Sequence, residues 1–277
     1  MSLRRLVGFA LSAFVWLPAL HAAADDAVPL AAYRAVEDLS LDPAAASQDF
    51  TTVDGRLVTE FTGSACAGYT TTTRMVVRAT DSDGAGKVND SRTLTVETPD
   101  GRLDFDNQSF IDGKLDQASK GSAQRAGDTV TVKLTRPDKK TIAFDVPLVF
   151  PTEQIVRVVE AARAGARFLS FTAYDGLDDG ASPAPTSTVI GQASTDTTDV
   201  GDESAIAEAG LANMRHWPVT VSYFDQADDT TDQRPDFSLS GVLYENGVMR
   251  EQRLDFGTFV LTGKLAKLDL LPQKRCP

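Results

Sequence analysis

The 277-residue chain has only two cysteines and two histidines. So small a stock excludes much chemistry. His21 lies in an apolar N-terminal segment with the marks of an export signal, which leaves His216 for the mature protein. Zinc sites built on several His or Cys ligands cannot be assembled if Cys66 and Cys276 pair. A serine hydrolase would need His216 as its base. That residue precedes Trp217-Pro218 at the start of an extended run, and no nucleophile-elbow motif is present. A thiol enzyme would need Cys66 as a free thiolate beside a base. An oxidising compartment and an available partner cysteine oppose this. No glycine-rich phosphate loop is present either. The expectation is a non-enzymatic protein with no catalytic residue, no metal site and no cofactor. Trp217 is the only tryptophan outside the N-terminal segment and reads as a core residue.

Long apolar runs are also missing, except at the start. Arg4 and Arg5 precede an apolar stretch from Leu6 to Leu20, and Ala22, Ala23 and Ala24 follow it. This is the three-part pattern of a secretory signal peptide, shorter than the ~20 apolar residues that span a bilayer. Residues 1–24 are read as the signal and residues 25–277 as a single domain. No cysteine stands near the cleavage point to carry a lipid, and no later segment suits a membrane span. The expected location is the periplasm.

Basic charge is in deficit. The chain carries 27 Lys and Arg against 39 Asp and Glu, a net charge of -12. Loss of Arg4 and Arg5 with the signal leaves 25 against 39, about -14. Such a surface repels nucleic acid and anionic headgroups.

What is present is strand pattern. Val130, Val132 and Leu134 alternate with polar residues, as do Ile142, Phe144 and Val146. Tyr69 to Val77 and Trp217 to Tyr223 repeat the period. One buried and one wet face is the antiparallel signature. Asp54-Gly55, Asp100-Gly101 and Asn246-Gly247 predict hairpin turns. The alternation changes phase around Gly257, which predicts a bulge or sharp bend there. Pro151 to Gly165 alone has helical spacing, through Ile155, Val158, Val159 and Ala162. Thr152 is its candidate N-cap and Gly165 its stop. Its apolar stripe predicts packing against the concave face of a curved sheet. Two stretches, Gly176 to Ser187 and Ala193 to Glu208, read as surface loops.

The acidic residues offer weak candidates. Asp81-Ser82-Asp83-Gly84 begins like a calcium loop, but an EF-hand has glycine at position 6 and Glu at position 12. Here Gly84 holds position 4 and Arg92 position 12. Asp175, Asp178 and Asp179 are close together without a ligand pattern, and both groups read as solvated loops. A carboxylate pair for glycoside hydrolysis is available in any acidic chain, and nothing singles one out. If the sheet curls without closing, Phe and Leu residues line a groove for a lipid or an apolar peptide. The two cysteines of an exported chain read as one disulfide, Cys66 to Cys276.

An ordered set of segments resembles the EipB-like family of periplasmic cell-envelope integrity proteins of alphaproteobacteria. It comprises Cys66-Ala67-Gly68-Tyr69, Leu148-Val149-Phe150-Pro151-Thr152, Tyr174-Asp175-Gly176, Val189-Ile190-Gly191, Trp217-Pro218-Val219, Tyr223-Phe224, Tyr244-Glu245-Asn246-Gly247-Val248, Leu254-Asp255-Phe256-Gly257, Leu265 to Leu271, and Cys276. The pieces span nearly the whole mature chain. The resemblance implies a mainly β fold, a long antiparallel sheet wound into an open β-spiral or barrel-like form with one helix. It implies a disulfide mapping onto Cys66 and Cys276, a role in envelope integrity and stress resistance, and a periplasmic partner built of TPR repeats. Gln154 stands where relatives often have His, and Tyr69 where Trp is common. The functional expectation is a non-catalytic, disulfide-stapled interaction module. The alternative is a periplasmic carrier that binds lipid or another apolar ligand in the concave face.

Overall fold

The structure is a computed structural model that describes residues 28–45, 50–196, 203–225, 234–273 and 276. Residues 1–24, read from the sequence as a signal peptide, lie outside the described residues. Among the described residues no helix is long and apolar enough to cross a membrane.

Among the described residues, fifteen strands form one sheet. The first eight are β1 (Tyr33–Leu41), β2 (Thr52–Ser64), β3 (Gly68–Thr80), β4 (Gly86–Thr98), β5 (Arg102–Ile111), β6 (Lys114–Ala126), β7 (Thr129–Arg136) and β8 (Lys140–Phe144). After the two-residue β9 (Leu148–Val149), helix α1 (Pro151–Arg163) leads to β10 (Phe168–Ala173) and β11 (Ala184–Ile190). Helix α2 (Ser204–Glu208) precedes β12 (His216–Tyr223), β13 (Phe237–Tyr244), β14 (Met249–Asp255) and β15 (Val260–Leu270). Each half is a meander, and β1 joins them by pairing with both β2 and β15. The spatial order therefore runs from β8 back to β1, then from β15 back to β9. All pairings are antiparallel except β9 with β10, which α1 connects.

The sheet is nearly closed into a barrel, as the mainly β expectation requires. Its two edges, β8 and β9, are neighbours in sequence but do not pair. They overlap instead. Leu148, Phe150 and Tyr174 pack face-on against Leu103, Phe105, Ala123, Val130, Val132 and Leu134 of β5 to β7. Arg125 of β6 secures the overlap. It donates to the Leu148 carbonyl at 2.7 Å and to Glu153 Oε2 at 2.5 Å, and its guanidinium lies 4.8 Å over the Phe150 ring.

Turn expectations hold at Asp100-Gly101 and Asn246-Gly247, which join β4 to β5 and β13 to β14. Asp54-Gly55 corrects the third. β2 runs straight through it, and Gly55 answers a packing constraint, because a Cβ there would lie 2.5 Å from the Val76 carbonyl oxygen of β3. Gly257 makes the sharp bend of the expectation rather than a bulge. It sits in the tight connection between β14 and β15, so the change of phase marks a change of strand. Register shifts occur elsewhere, at Val36/Glu37, Ser109/Phe110, Lys120/Gly121 and Ser240/Val242, where they bend a long sheet.

Helix α1 matches its predicted span and packs through Val158, Val159 and Ala162 against Phe61, Trp217, Val219, Val221 and Leu243. Gly165 ends it as expected. Its N–H bonds the Ala162 carbonyl, and that of Ala166 bonds Ala161, which together make a Schellman motif. The N-cap expectation fails: Phe150 holds that position and no local side chain caps it. Instead the buried Glu97 of β4 accepts the Thr152 N–H at 2.6 Å, where a carboxylate also meets the positive end of the helix dipole. The second predicted loop ends in helix α2, whose Ala205 and Ile206 pack against Val242, Tyr244, Leu265 and Leu268.

Cys66, between β2 and β3, is bonded to Cys276, with Cα atoms 5.7 Å apart and a sequence separation of 210. The bridge crosses the end of β1, which lies between β2 and β15 in the sheet. Gln273 reinforces it by donating to the carbonyls of Leu30 and Gly63 at 2.8 and 3.0 Å. In the chain-entropy treatment a loop of this length contributes up to about 5 kcal/mol. Cys66→Ala or Cys276→Ala is expected to give a folded protein with a melting temperature lower by about 10 °C. Calorimetry showing equal melting temperatures would refute this.

Candidate functional site

The inner face of the sheet changes character along its length. Cross-strand partners share a face. Thr59, Thr73, Thr93, Asn107 and Ser119 therefore form one row across β2 to β6. Such small polar side chains cannot fill a dry core. The row one step away, through Phe61, Thr71, Thr95 and Phe105, carries larger rings and lies nearer to α1. Leu57 and Met75 form the next row on β2 and β3, and Tyr223, Phe237, Leu254 and Phe256 line the same space from β12 to β14 and the turn that follows. The Phe237 and Phe256 rings lie 5.2 Å apart, and Phe256 stacks on Phe259 at 4.8 Å.

Between these walls is a cavity of about 920 Å³. Its volume is in the range of small-molecule sites, and one wall is apolar while the other is rich in hydroxyls and amides. Tyr223, on its lining, is tied to helix α1: Gln154 Nε2 donates to the Tyr223 hydroxyl at 2.9 Å. Burial pushes that phenol up to about 12, with the Gln154 hydrogen bond acting against the shift.

The segment between β10 and β11 completes the rim. The expectation of a surface loop from Gly176 to Ser187 is corrected here, since Gly176 and Gly180 are buried and residues from Ala184 onward form β11. Asn107 Nδ2 donates to the Gly176 carbonyl at 2.8 Å, and the Ser119 hydroxyl donates to the same oxygen. The Tyr174 hydroxyl donates to the Gly180 carbonyl at 2.7 Å. Gly176 has φ +71°, and a Cβ would fall 2.4 Å from Phe105 Cδ2. Both facts require glycine. The folded-in loop brings Asp175, Asp178 and Asp179 to the cavity. Burial raises the carboxyls of Asp175 and Asp178, and each is raised further by the neighbouring aspartate, Asp178 for the first and Asp179 for the second. Asp178 and Asp179 remain exposed, as the solvated reading expects, while Asp175 beside the buried Gly176 is partly buried.

The other sequence candidates lie elsewhere. Cys66, Cys276 and His216 do not line the cavity. His216 is buried on β12, with Nδ1 3.0 Å from the Met214 carbonyl and its ring 5.0 Å from that of Tyr244. Asp81 caps its own turn, accepting the N–H groups of Asp83 and Ala85 at 3.0 and 2.9 Å. Among the described residues no three His, Cys, Asp or Glu side chains are grouped to hold a metal.

One titratable cluster had no sequence signal, since its members come from β1, the start of α2, and β14. Arg250, fully buried, donates through Nε to the Tyr244 hydroxyl at 3.1 Å, pairs with Glu251, and lies 3.8 Å from Glu203. Glu37 accepts from Gln252 Nε2 at 2.5 Å. Burial, then the nearby Glu203, push the Glu37 carboxyl up to about 8, against the Gln252 hydrogen bond.

Two substitutions test these packing relations. A raised carboxyl pKa means that the folded state holds its proton more tightly than the unfolded chain. Stability from Glu37 is fully present below about pH 4.5 and is lost as pH rises toward about 8. Glu37→Gln is therefore expected to flatten the fall in melting temperature between pH 5 and 8 and to raise its value at pH 8. An unchanged pH profile would count against it. Gly176→Ala is expected to cost about 2 kcal/mol in urea unfolding, from the positive φ and the contact with Phe105. A neutral result would mean that the loop is not held as described.

The EipB-like family profile matches residues 24–272. The chain is 34% identical over 259 residues to the cell envelope integrity protein EipB of Brucella abortus (strain 2308), covering 93% of this chain and 90% of that protein. It is also similar to a crystal structure of a β-barrel-like protein from Brucella abortus, described as a domain of unknown function. That match has a TM-score of 0.82 and 33% identity, and covers 89% of this chain and 100% of the other. Similarity along nearly the whole chain, in both sequence and fold, places this chain in the EipB-like family.

Proposed function

We propose that this chain is a non-catalytic periplasmic protein that supports cell-envelope integrity as a disulfide-braced interaction module. The observation that carries the proposal is the full-length similarity to a cell envelope integrity protein. In this reading residues 1–24 are a cleaved signal peptide and residues 25–277 act as one domain. The bridge between Cys66 and Cys276 suits an oxidising compartment. The partner is a periplasmic protein, with TPR repeats as the class that the family resemblance implies.

The cavity favours a second reading, a carrier for lipid or another apolar ligand. Leu57, Met75, Phe237, Leu254 and Phe256 give its lining an apolar part. One experiment separates the two readings: affinity capture from periplasm with the disulfide intact, read by proteomics and by lipid mass spectrometry. The expected result is a stoichiometric protein partner, with capture weakened in Cys66→Ala. Lipid recovered without protein would replace the module reading with the carrier.

A further inference from the structure

Helix α2 is five residues long, and Glu203 stands at its N-cap position without bonding any N–H of the helix through its side chain. The carboxyl reaches the sheet instead. Glu203 Oε1 accepts the Leu265 N–H of β15 at 2.7 Å. Leu265 is also the register partner of Glu37 on β1, directly after the shift between Val36 and Glu37. Two carboxyls from distant parts of the chain thus meet at one residue. Both are buried, Glu37 at 1% and Glu203 at 4% exposed. In each, Oε1 has a donor, Gln252 for the first and Leu265 for the second, and Oε2 accepts no hydrogen bond. Glu37 Oε2 packs so close to Gly263 that a Cβ there would lie 2.6 Å from it.

The neighbouring groups do not supply what the two oxygens lack. Arg250 and Glu251 of β14 pair with each other, and Arg250 Nη1 stays 3.8 Å from Glu203 Oε2. The Tyr244 hydroxyl of β13 accepts from Arg250. Tyr33 of β1 feels the Glu37 charge, and His216 of β12 lies against Tyr244. β2 and β15 present Leu57 and Leu265 to Glu37, while Lys264 is exposed. The backbone is distorted at the same place. Glu251 has φ +51°, and the β13–β14 register shifts between Ser240 and Val242. Ionising both Glu37 and Glu203 would bury two like charges together, each with an oxygen that has no donor, which is costly. A single proton removes the repulsion and turns one acceptor into an O–H. In keeping with this, burial raises both carboxyls.

We propose that Glu37 and Glu203 hold one proton between them and that its loss releases α2 from the sheet. Glu37 is fixed in the middle of β1, whereas Glu203 sits at the end of a short helix and is the group that moves. With both ionised, repulsion breaks the bond to Leu265 and lifts Ala205 and Ile206 from Leu265 and Leu268. Helix α2 is then a latch that closes as pH falls and opens as pH rises. The docked state binds the proton more tightly than the released state, so docking is strongest below the midpoint and is lost above it. His216 would act with the opposite sign, because a buried imidazolium forms as pH falls. Glu37, Glu203, Arg250 and Leu265 do not line the cavity, so the latch stands apart from the carrier reading.

The test is hydrogen exchange of the mature protein, disulfide intact, from pH 6 to 9, with rates corrected for the intrinsic effect of pH. Protection of the amides of residues 205–211 and of Leu265 is expected to hold to about pH 7 and to fall about tenfold per pH unit above about 8. The amides of α1 should keep theirs. Glu37→Gln removes the like charge at nearly constant size and should keep α2 protected at pH 9. Glu60→Gln, on the partly exposed Glu60 of β2, should leave the wild-type fall in place. Flat α2 protection in the wild type overturns the proposal, as does a fall that α1 shares equally. A rise with pH also overturns it and assigns the effect to His216. An unchanged fall in Glu37→Gln overturns the shared proton. The wild-type series decides the latch without any variant.

Discussion

The overlapped seam governs the rest of the molecule. A fifteen-stranded sheet has two edges, and closing it by hydrogen bonds would require β8 and β9 to pair. The chain between them spans only residues 145–147, so β9 emerges beside β8. It then turns its side chains onto the face of β5 to β7 rather than its backbone onto the edge of β8. Burial of Leu148, Phe150 and Tyr174 replaces a ladder. Apolar burial is non-directional, so this closure does not demand the fixed stagger of a closed barrel. Arg125 adds direction, through bonds to the Leu148 carbonyl and Glu153.

Closure by overlap places α1. The helix begins directly after β9, so its position is set once Leu148 and Phe150 are buried. Glu97 then meets its first turn from the opposite wall, and the apolar stripe falls on Trp217, Val219 and Val221. With α1 filling one part of the interior, the remaining space is bounded by the Thr, Ser and Asn row. The cavity is thus a consequence of where the inner face stops being apolar. The loop after β10 is held over it by Asn107 and Ser119.

The disulfide acts at a different place. It fastens the junction of the two meanders, where β1 alone connects β2 to β15. The seam is held by packing and a guanidinium, and the junction by a covalent bond. The buried Glu37, Glu203 and Arg250 lie near the same junction, on β1, at the start of α2 and on β14. Burial raises the Glu37 and Glu203 carboxyls there.

Much was fixed by local pattern. Period-two alternation specified Val130 to Leu134 and Trp217 to Tyr223 as strands, because backbone geometry alone puts every second side chain on one face. Helix α1 and its Gly165 stop followed from spacing and from the ease with which glycine adopts positive φ. Local pattern misled where a residue's reason was distant. Gly55 reads as a turn but answers to Val76 on the next strand. Thr152 reads as a cap, but the cap is Glu97, far away in sequence. Asp175 reads as solvated, but it is partly buried beside Gly176. Strands and the long helix were legible because they depend on neighbours within a few residues, and the Cys66–Cys276 pairing because the chain has two cysteines in all. Only the tertiary structure decided the seam, the cavity and its acidic rim, because each is made by residues from separate strands whose proximity depends on how the whole sheet curls.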